Sequence, residues 1–104
     1  MAIADRGNEV FLSAASVWEA EIKYAIGKLP LPARPAIYLP RERRAHQISS
    51  MDIDEGAIEQ LSRLPQLHRD PFDRMIVAQA FRHKLTLVTV DAAVRAYAPP
   101  LMPV

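Results

Sequence analysis

Four acidic residues, Glu19, Asp70, Asp73 and Asp91, are the side chains of this sequence with chemistry to offer. Each also has an ordinary structural reading. Asp70 suits a helix N-cap, with Pro71 at the first helical position, where a missing N–H costs nothing, and Asp73 in the first turn against the positive end of the helix dipole. Glu19 closes the run Ser16-Val17-Trp18-Glu19, the spacing of a capping box in which the glutamate reaches back to the cap residue's N–H. Asp91 ends a strand-forming run and starts a helical one. A cap contributes only about 1 kcal/mol, whereas two carboxylates about 4 Å apart repel by roughly 4 kcal/mol at an effective dielectric near 20. Should the acids meet, something positive must sit among them. With oxygen donors, no cysteine and few histidines, the group that suits them is a hard cation such as Mg²⁺ or Mn²⁺.

The elements that would position these acids can be read along the chain. Met1 to Asn8 reads as a helix remnant or loose lead-in. Val10-Phe11-Leu12 is a short apolar run between Gly7-Asn8 and small residues, a buried strand. Trp18, Ile22, Ala25, Ile26 and Leu29 recur at helical spacing, which predicts a helix over Ser16 to Lys28, with Trp18 in the core or at a contact between copies. A second helix is expected over Ile37 to Ala45, broken or restarted at Pro40, its Arg41, Arg43 and Arg44 forming a basic, solvated face. His46 to Ile53 holds an edge strand, and Asp54 caps a helix through Arg63, which Pro65 closes.

Pro71 to Lys84 is the best-marked helix, and from Met75 to Phe81 its apolar side chains point nearly all round, as in a buried segment. Leu85-Thr86-Leu87-Val88-Thr89-Val90 is dense in β-branched residues and reads as an interior strand. Ala92 to Tyr97 is a short helix, and the proline-rich tail allows at most a short edge strand. Strands alternating with helices argue for an α/β layered domain with a mostly parallel sheet. Such sheets place their sites beyond the carboxyl ends of the strands, where Glu19, Asp73 and Asp91 would converge.

Bulk composition narrows the classes. The chain has 104 residues, half of them apolar and about a quarter charged, which fits one small domain, residues 1–104. A formal charge of +1 is too small to argue for nucleic-acid binding on its own. The absence of cysteine excludes a disulfide framework and a thiolate metal site. No apolar run approaches the roughly 20 residues that cross a bilayer, and Met1 to Glu9 lacks a signal peptide's apolar core, so a cytoplasmic protein away from the membrane is expected.

Three stretches, Ser13-Ala14-Ala15-Ser16-Val17-Trp18-Glu19, His68-Arg69-Asp70-Pro71-Phe72-Asp73-Arg74 and Leu85-Thr86-Leu87-Val88-Thr89-Val90-Asp91, occur in the order and at the separations of one family. Through them the chain resembles the PIN-domain nucleases, most closely the ribonuclease toxins of VapBC-type toxin–antitoxin pairs. The resemblance implies a three-layer α/β/α fold. It also implies an Mg²⁺- or Mn²⁺-dependent endoribonuclease in which Glu19, Asp73 and Asp91 are catalytic, the same three and Asp70 hold the metal, and water attacks an RNA phosphodiester. Thr89 matches a small hydroxyl near that site. RNA, a cognate antitoxin and a second copy are the implied partners. Arg69, Arg74 and His68 flank the acids and are read as phosphate contacts or as ion pairs to Asp70 or Asp73, and Lys23 as a phosphate contact or an ordinary ion pair with Glu19.

One departure stands out. The family opens with a central strand ending in an acid, followed by a helix, and Met1 begins about where that helix would be ending. Removing about five apolar side chains at roughly 1.5 to 3 kcal/mol each forfeits on the order of 10 kcal/mol. The expectation is that the flanking strands are drawn together, that two copies exchange a segment in a homodimer, or that a partner peptide fills the gap. The alternative to an active nuclease is an impaired remnant that only self-associates or binds a partner.

Overall fold

The computed structural model describes residues 3–6, 9–65, 70–88 and 101–102. Their elements are β1 (Ile3–Arg6), β2 (Glu9–Ser13), α1 (Ala14–Ala25), α2 (Pro35–Ala45), β3 (Ser49–Met51), α3 (Glu55–Arg63), α4 (Pro71–His83), β4 (Thr86–Val88) and β5 (Leu101–Met102).

Helix α4 begins where its local chemistry dictates. Asp70 Oδ1 accepts the N–H groups of Phe72 at 2.9 Å and Asp73 at 3.3 Å, and Pro71 occupies the first turn. Lys84 closes the helix in the left-handed conformation (φ 55°, ψ 48°), and Leu85 then donates its N–H to the Ala80 carbonyl at 2.9 Å. Ile76, Val77, Ala78, Gln79 and Ala80 are buried in succession, as the all-round apolar pattern predicts. Around them Ala15 of α1 and Leu64 at the end of α3 complete the core, with Ile53, Leu61, Phe72, Met75 and Phe81 packed against it. Asp54 caps α3 as expected, its Oδ1 accepting the Ala57 N–H at 2.7 Å.

Helix α1 starts earlier than its capping-box spacing suggests. Strand β2 runs to Ser13, so the residue with extended cap geometry is Ser13, whose Oγ accepts the Ala15 N–H at 3.0 Å. Ser16 is therefore an interior helical residue, and Glu19 is not the reciprocal member of a box. The small residues Ala15, Ser16 and Ala20 face inward and let α1 approach closely. The large residues of the apolar stripe face out: Trp18 is 59%, Ile22 44% and Ile26 61% exposed. Trp18 is thus outside the core, its ring T-shaped against Phe72 at 4.9 Å.

Helix α2 runs unbroken through Pro40, forgoing one backbone hydrogen bond instead of restarting. Its N-cap, Arg34, offers no side-chain acceptor, and Glu21 of α1 substitutes, Oε1 accepting the Ala36 N–H at 2.9 Å. Arg41 and Arg44 are exposed as expected, while Arg43 turns back to donate to the Ile48 carbonyl at 3.0 Å.

The sheet has the order β3-β2-β1-β4-β5. Pairs β2/β3 and β4/β5 are parallel, whereas β1 is antiparallel to both β2 and β4, so four strands run one way and β1 runs against them. The α/β class with a mostly parallel sheet holds. The lead-in reading of the first residues is corrected: Ile3–Arg6 forms the central strand. Consequently β2 and β4 are not drawn together, because the chain's own residues lie between them, paired Ile3↔Leu12 on one side and Ile3↔Val88 on the other. Strand β3 is the expected edge, and Leu101–Met102 is the expected short edge strand of the tail. The predicted helix Ala92 to Tyr97 lies outside the described residues. Among the described residues no helix is long and apolar enough to cross a membrane.

Candidate active site

Glu19 lies midway along α1 and Asp70 at the head of α4, and together they line one cleft of about 430 Å³. Packing of α1 on α4 brings them to a common surface although fifty residues of chain separate them. The Glu19 side chain is only 15% exposed and carries an ion pair with Lys23, one turn on, at 3.2 Å. Asp70 is held by the two N–H groups that it caps, which fixes the orientation of its carboxylate. Asp73 is half-buried in the same turn of α4 and does not line the cleft.

The remaining predicted residues divide. Lys23 is committed to Glu19, the ion-pair alternative of the two expected for it. Arg74 is half-buried, and its Nε is fully buried with no acceptor among the described residues. Asp91, Arg69, His68 and Thr89 lie outside the described residues. Among the described residues no group of three or more acids or histidines is arranged to hold a metal ion. The pair in the cleft supplies carboxylate oxygens alone, a donor type that fits a hard divalent cation and does not suit a soft one.

A polar link behind the cleft has no counterpart in the motif reading. Ser13 Oγ donates to Gln79 Oε1 at 2.6 Å, and Gln79 Nε2 donates to the Asp52 carbonyl at 3.1 Å. It joins the heads of α1 and α3 to the middle of α4. The signal in the sequence was a lone glutamine inside the run Ile76 to Ala80, since a polar group buried there must be hydrogen-bonded. Ser16 Oγ, also buried, has no partner among the described residues. At the far end of α4, His83 Nε2 lies 2.9 Å from Asp54 Oδ2. The Ala57 N–H, with His83 and Arg82 nearby, holds the Asp54 carboxyl below its ordinary value.

A second cavity of about 280 Å³ shares Pro71 and Phe72 with the first and is otherwise bounded by apolar residues, including Trp18, Leu61, Met75 and Ile58, the last 51% exposed. The two cavities differ in charge: acids and lysines border the first, none the second.

Residues 1–99 match the family model described as the PIN domain. Over 54 residues the chain is 42% identical to Ribonuclease VapC16 of Mycobacterium tuberculosis, a match covering 52% of this chain and 38% of that protein. The chain thus spans well under two thirds of the curated relative that it matches. No solved structure matches it.

Proposed function

The chain belongs to the PIN-domain family, and from that premise we propose that it is a divalent-metal-dependent ribonuclease, the toxin of a toxin–antitoxin pair. The observation that carries this reading is the meeting of Glu19 and Asp70 in one cleft. Asp73, Asp91, Glu19 and Asp70 are the proposed donors to Mg²⁺ or Mn²⁺, with Glu19, Asp73 and Asp91 the catalytic acids. Bound there, the metal supplies a Lewis acid and an acidified water for attack on a phosphodiester. Asp70, pinned by two backbone N–H groups, and Glu19, ion-paired with Lys23, are oriented before any metal arrives. Arg69 and Arg74 are proposed to meet RNA phosphates.

A cognate antitoxin and a second copy are the proposed protein partners. Their support is the open apolar surface of Trp18 and Ile58 around the second cavity. The same surface favours a second reading, a partner-binding or self-associating module without catalysis. Single-stranded RNA incubated with Mn²⁺ separates the two. Cleavage that is abolished by EDTA, by Asp73→Asn and by Glu19→Gln supports the nuclease; cleavage indifferent to Asp73→Asn rejects the proposed site. No cleavage by the wild type, with a doubled mass in light scattering, supports the module.

A further inference from the structure

We propose that Gln79 is a positioning residue for the candidate site: its buried side-chain amide fixes where α1 sits on α4, and so holds Glu19 with Asp70 at their shared cleft. The use of that placement for a divalent cation rests on the ribonuclease reading. The placement itself does not.

The amide fits in one orientation only. The Asp52 carbonyl accepts and never donates, so Gln79 Nε2 must face it, at 3.1 Å, and Oε1 must face Ser13. The Ser13 O–H is then the donor of the 2.6 Å bond, which leaves a lone pair of Oγ for the Ala15 N–H at 3.0 Å. Ser13 ends β2 and is paired with Met51, which ends β3. The link therefore clips the carboxyl ends of two parallel strands to the middle of α4, at the point where α1 begins. Gln79 is 1% exposed, and a hydrogen bond buried in this way is directional where apolar packing is not.

Direction matters because the face that α1 buries is made of Ala15, Ser16 and Ala20. Such small side chains let helices approach closely but offer low ridges with which to lock one against the other. Glu19 lies about 9 Å along α1 from Ser13, so a tilt of about 10° at Ser13 carries it about 1.5 Å. Ligation of a metal tolerates about 0.2 Å, and misplacing a reacting group by about 1 Å costs about a hundredfold. A link that merely filled the core could be replaced by paired apolar side chains at little cost. One that sets a position could not.

Trp18 reports that position without a metal. It is the single tryptophan of the chain and precedes Glu19 on α1, and its ring meets Phe72, in the turn that Asp70 caps, at 4.9 Å. The test is acrylamide quenching of Trp18 in EDTA, together with Mn²⁺ affinity by calorimetry, on the full chain under conditions where urea melts show it folded. Gln79→Leu should raise the quenching, shift the emission to the red and weaken Mn²⁺ binding about tenfold or more. Ser13→Ala, which breaks the same bond from the other side, should do likewise, and the double variant should bind Mn²⁺ no worse than either single one. Ile76→Val, which loosens the core on the same helix without touching the link, should match the wild type in both measurements.

Wild-type quenching in Gln79→Leu and Ser13→Ala overturns the positioning role. So does a change in Ile76→Val as large as theirs, which would make the effect a general loosening, and so does raised quenching with unaltered Mn²⁺ affinity. If Gln79→Leu fails to fold, Ser13→Ala decides alone. A wild type that binds no Mn²⁺ removes the metal reading and leaves the quenching to decide: raised in the link variants alone, it retains Gln79 as the residue that places Glu19, and unchanged, it overturns that role.

Discussion

The Ser13 hydroxyl donates to the Gln79 side-chain carbonyl at 2.6 Å, and both residues are buried. Ser13 Oγ also accepts the Ala15 N–H, so one hydroxyl both starts α1 and ties it to α4, the two helices that carry Glu19 and Asp70. Gln79→Leu leaves the buried Ser13 O–H without its acceptor and the Asp52 carbonyl without its donor, and should cost about 1 to 3 kcal/mol in urea unfolding. Ser13→Ala should cost a similar amount through the lost cap and the stranded amide. The double variant should cost less than the two together, since both remove the same bond. Additive losses would show that the bond contributes nothing.

What could be read from the sequence was whatever is decided locally. The caps of Asp54 and Asp70 and the β-branched run at β4 depend on a few adjacent residues, and each appears where its chemistry put it. The capping serine was misplaced because Ser13 and Ser16 are chemically alike. Only the length of β2 decides between them. The direction of the α1 stripe was equally hidden: periodicity finds a face, but the small residues Ala15, Ser16 and Ala20 decide which face packs. Strand β1 was missed because strand pairing is non-local, although the register Arg6↔Glu9 leaves only Gly7 and Asn8 between the strands, residue types that favour a tight hairpin. At the site the acid types were legible from the residues, whereas the meeting of Glu19 with Asp70 was expected only through the family resemblance, since helix packing creates it.

Glu19 has one observed role, its ion pair with Lys23, and one proposed role as a metal donor, and one substitution separates them. Its bond to Lys23 is a side-chain ion pair one helical turn apart with the lysine half-exposed, so Glu19→Gln should change stability by no more than about 0.5 kcal/mol. If Glu19 is the metal donor proposed above, its loss lowers RNA cleavage by about a hundredfold or more. Lys23→Ala is expected to match the small stability change and to retain most of the activity. Equal loss of activity in both variants would assign the effect to the ion pair instead.

Acid should loosen α3 from α4 at one identifiable point. The folded-state carboxyl of Asp54 titrates below its ordinary 3.8 because it accepts the Ala57 N–H and lies beside His83 and Arg82. A depressed carboxyl stabilises the fold above its unfolded-state value, and that contribution is lost as pH falls through the folded-state value. Thermal melts of the wild type and Asp54→Ala should therefore differ most near neutral pH and converge below about pH 4. A difference that persists unchanged at pH 2 would mean that Asp54 acts by shape alone.

Ser16 offers the clearest conflict between stability and use. Its hydroxyl is buried, with the residue 1% exposed, and finds no acceptor or donor among the described residues, three positions before Glu19 on α1. An unsatisfied buried polar group costs about 1 to 3 kcal/mol, and alanine fits the same space with better helix propensity. Ser16→Ala should thus raise the urea midpoint, against the usual direction for a core substitution. A protein that retains such a hydroxyl at a stability cost retains it for something the folded chain alone does not need. RNA cleavage is therefore expected to fall in the stabilised variant, while circular dichroism stays that of the wild type. Should Ser16→Ala instead lose stability, the hydroxyl already has a partner within the chain, and no functional role follows from its burial.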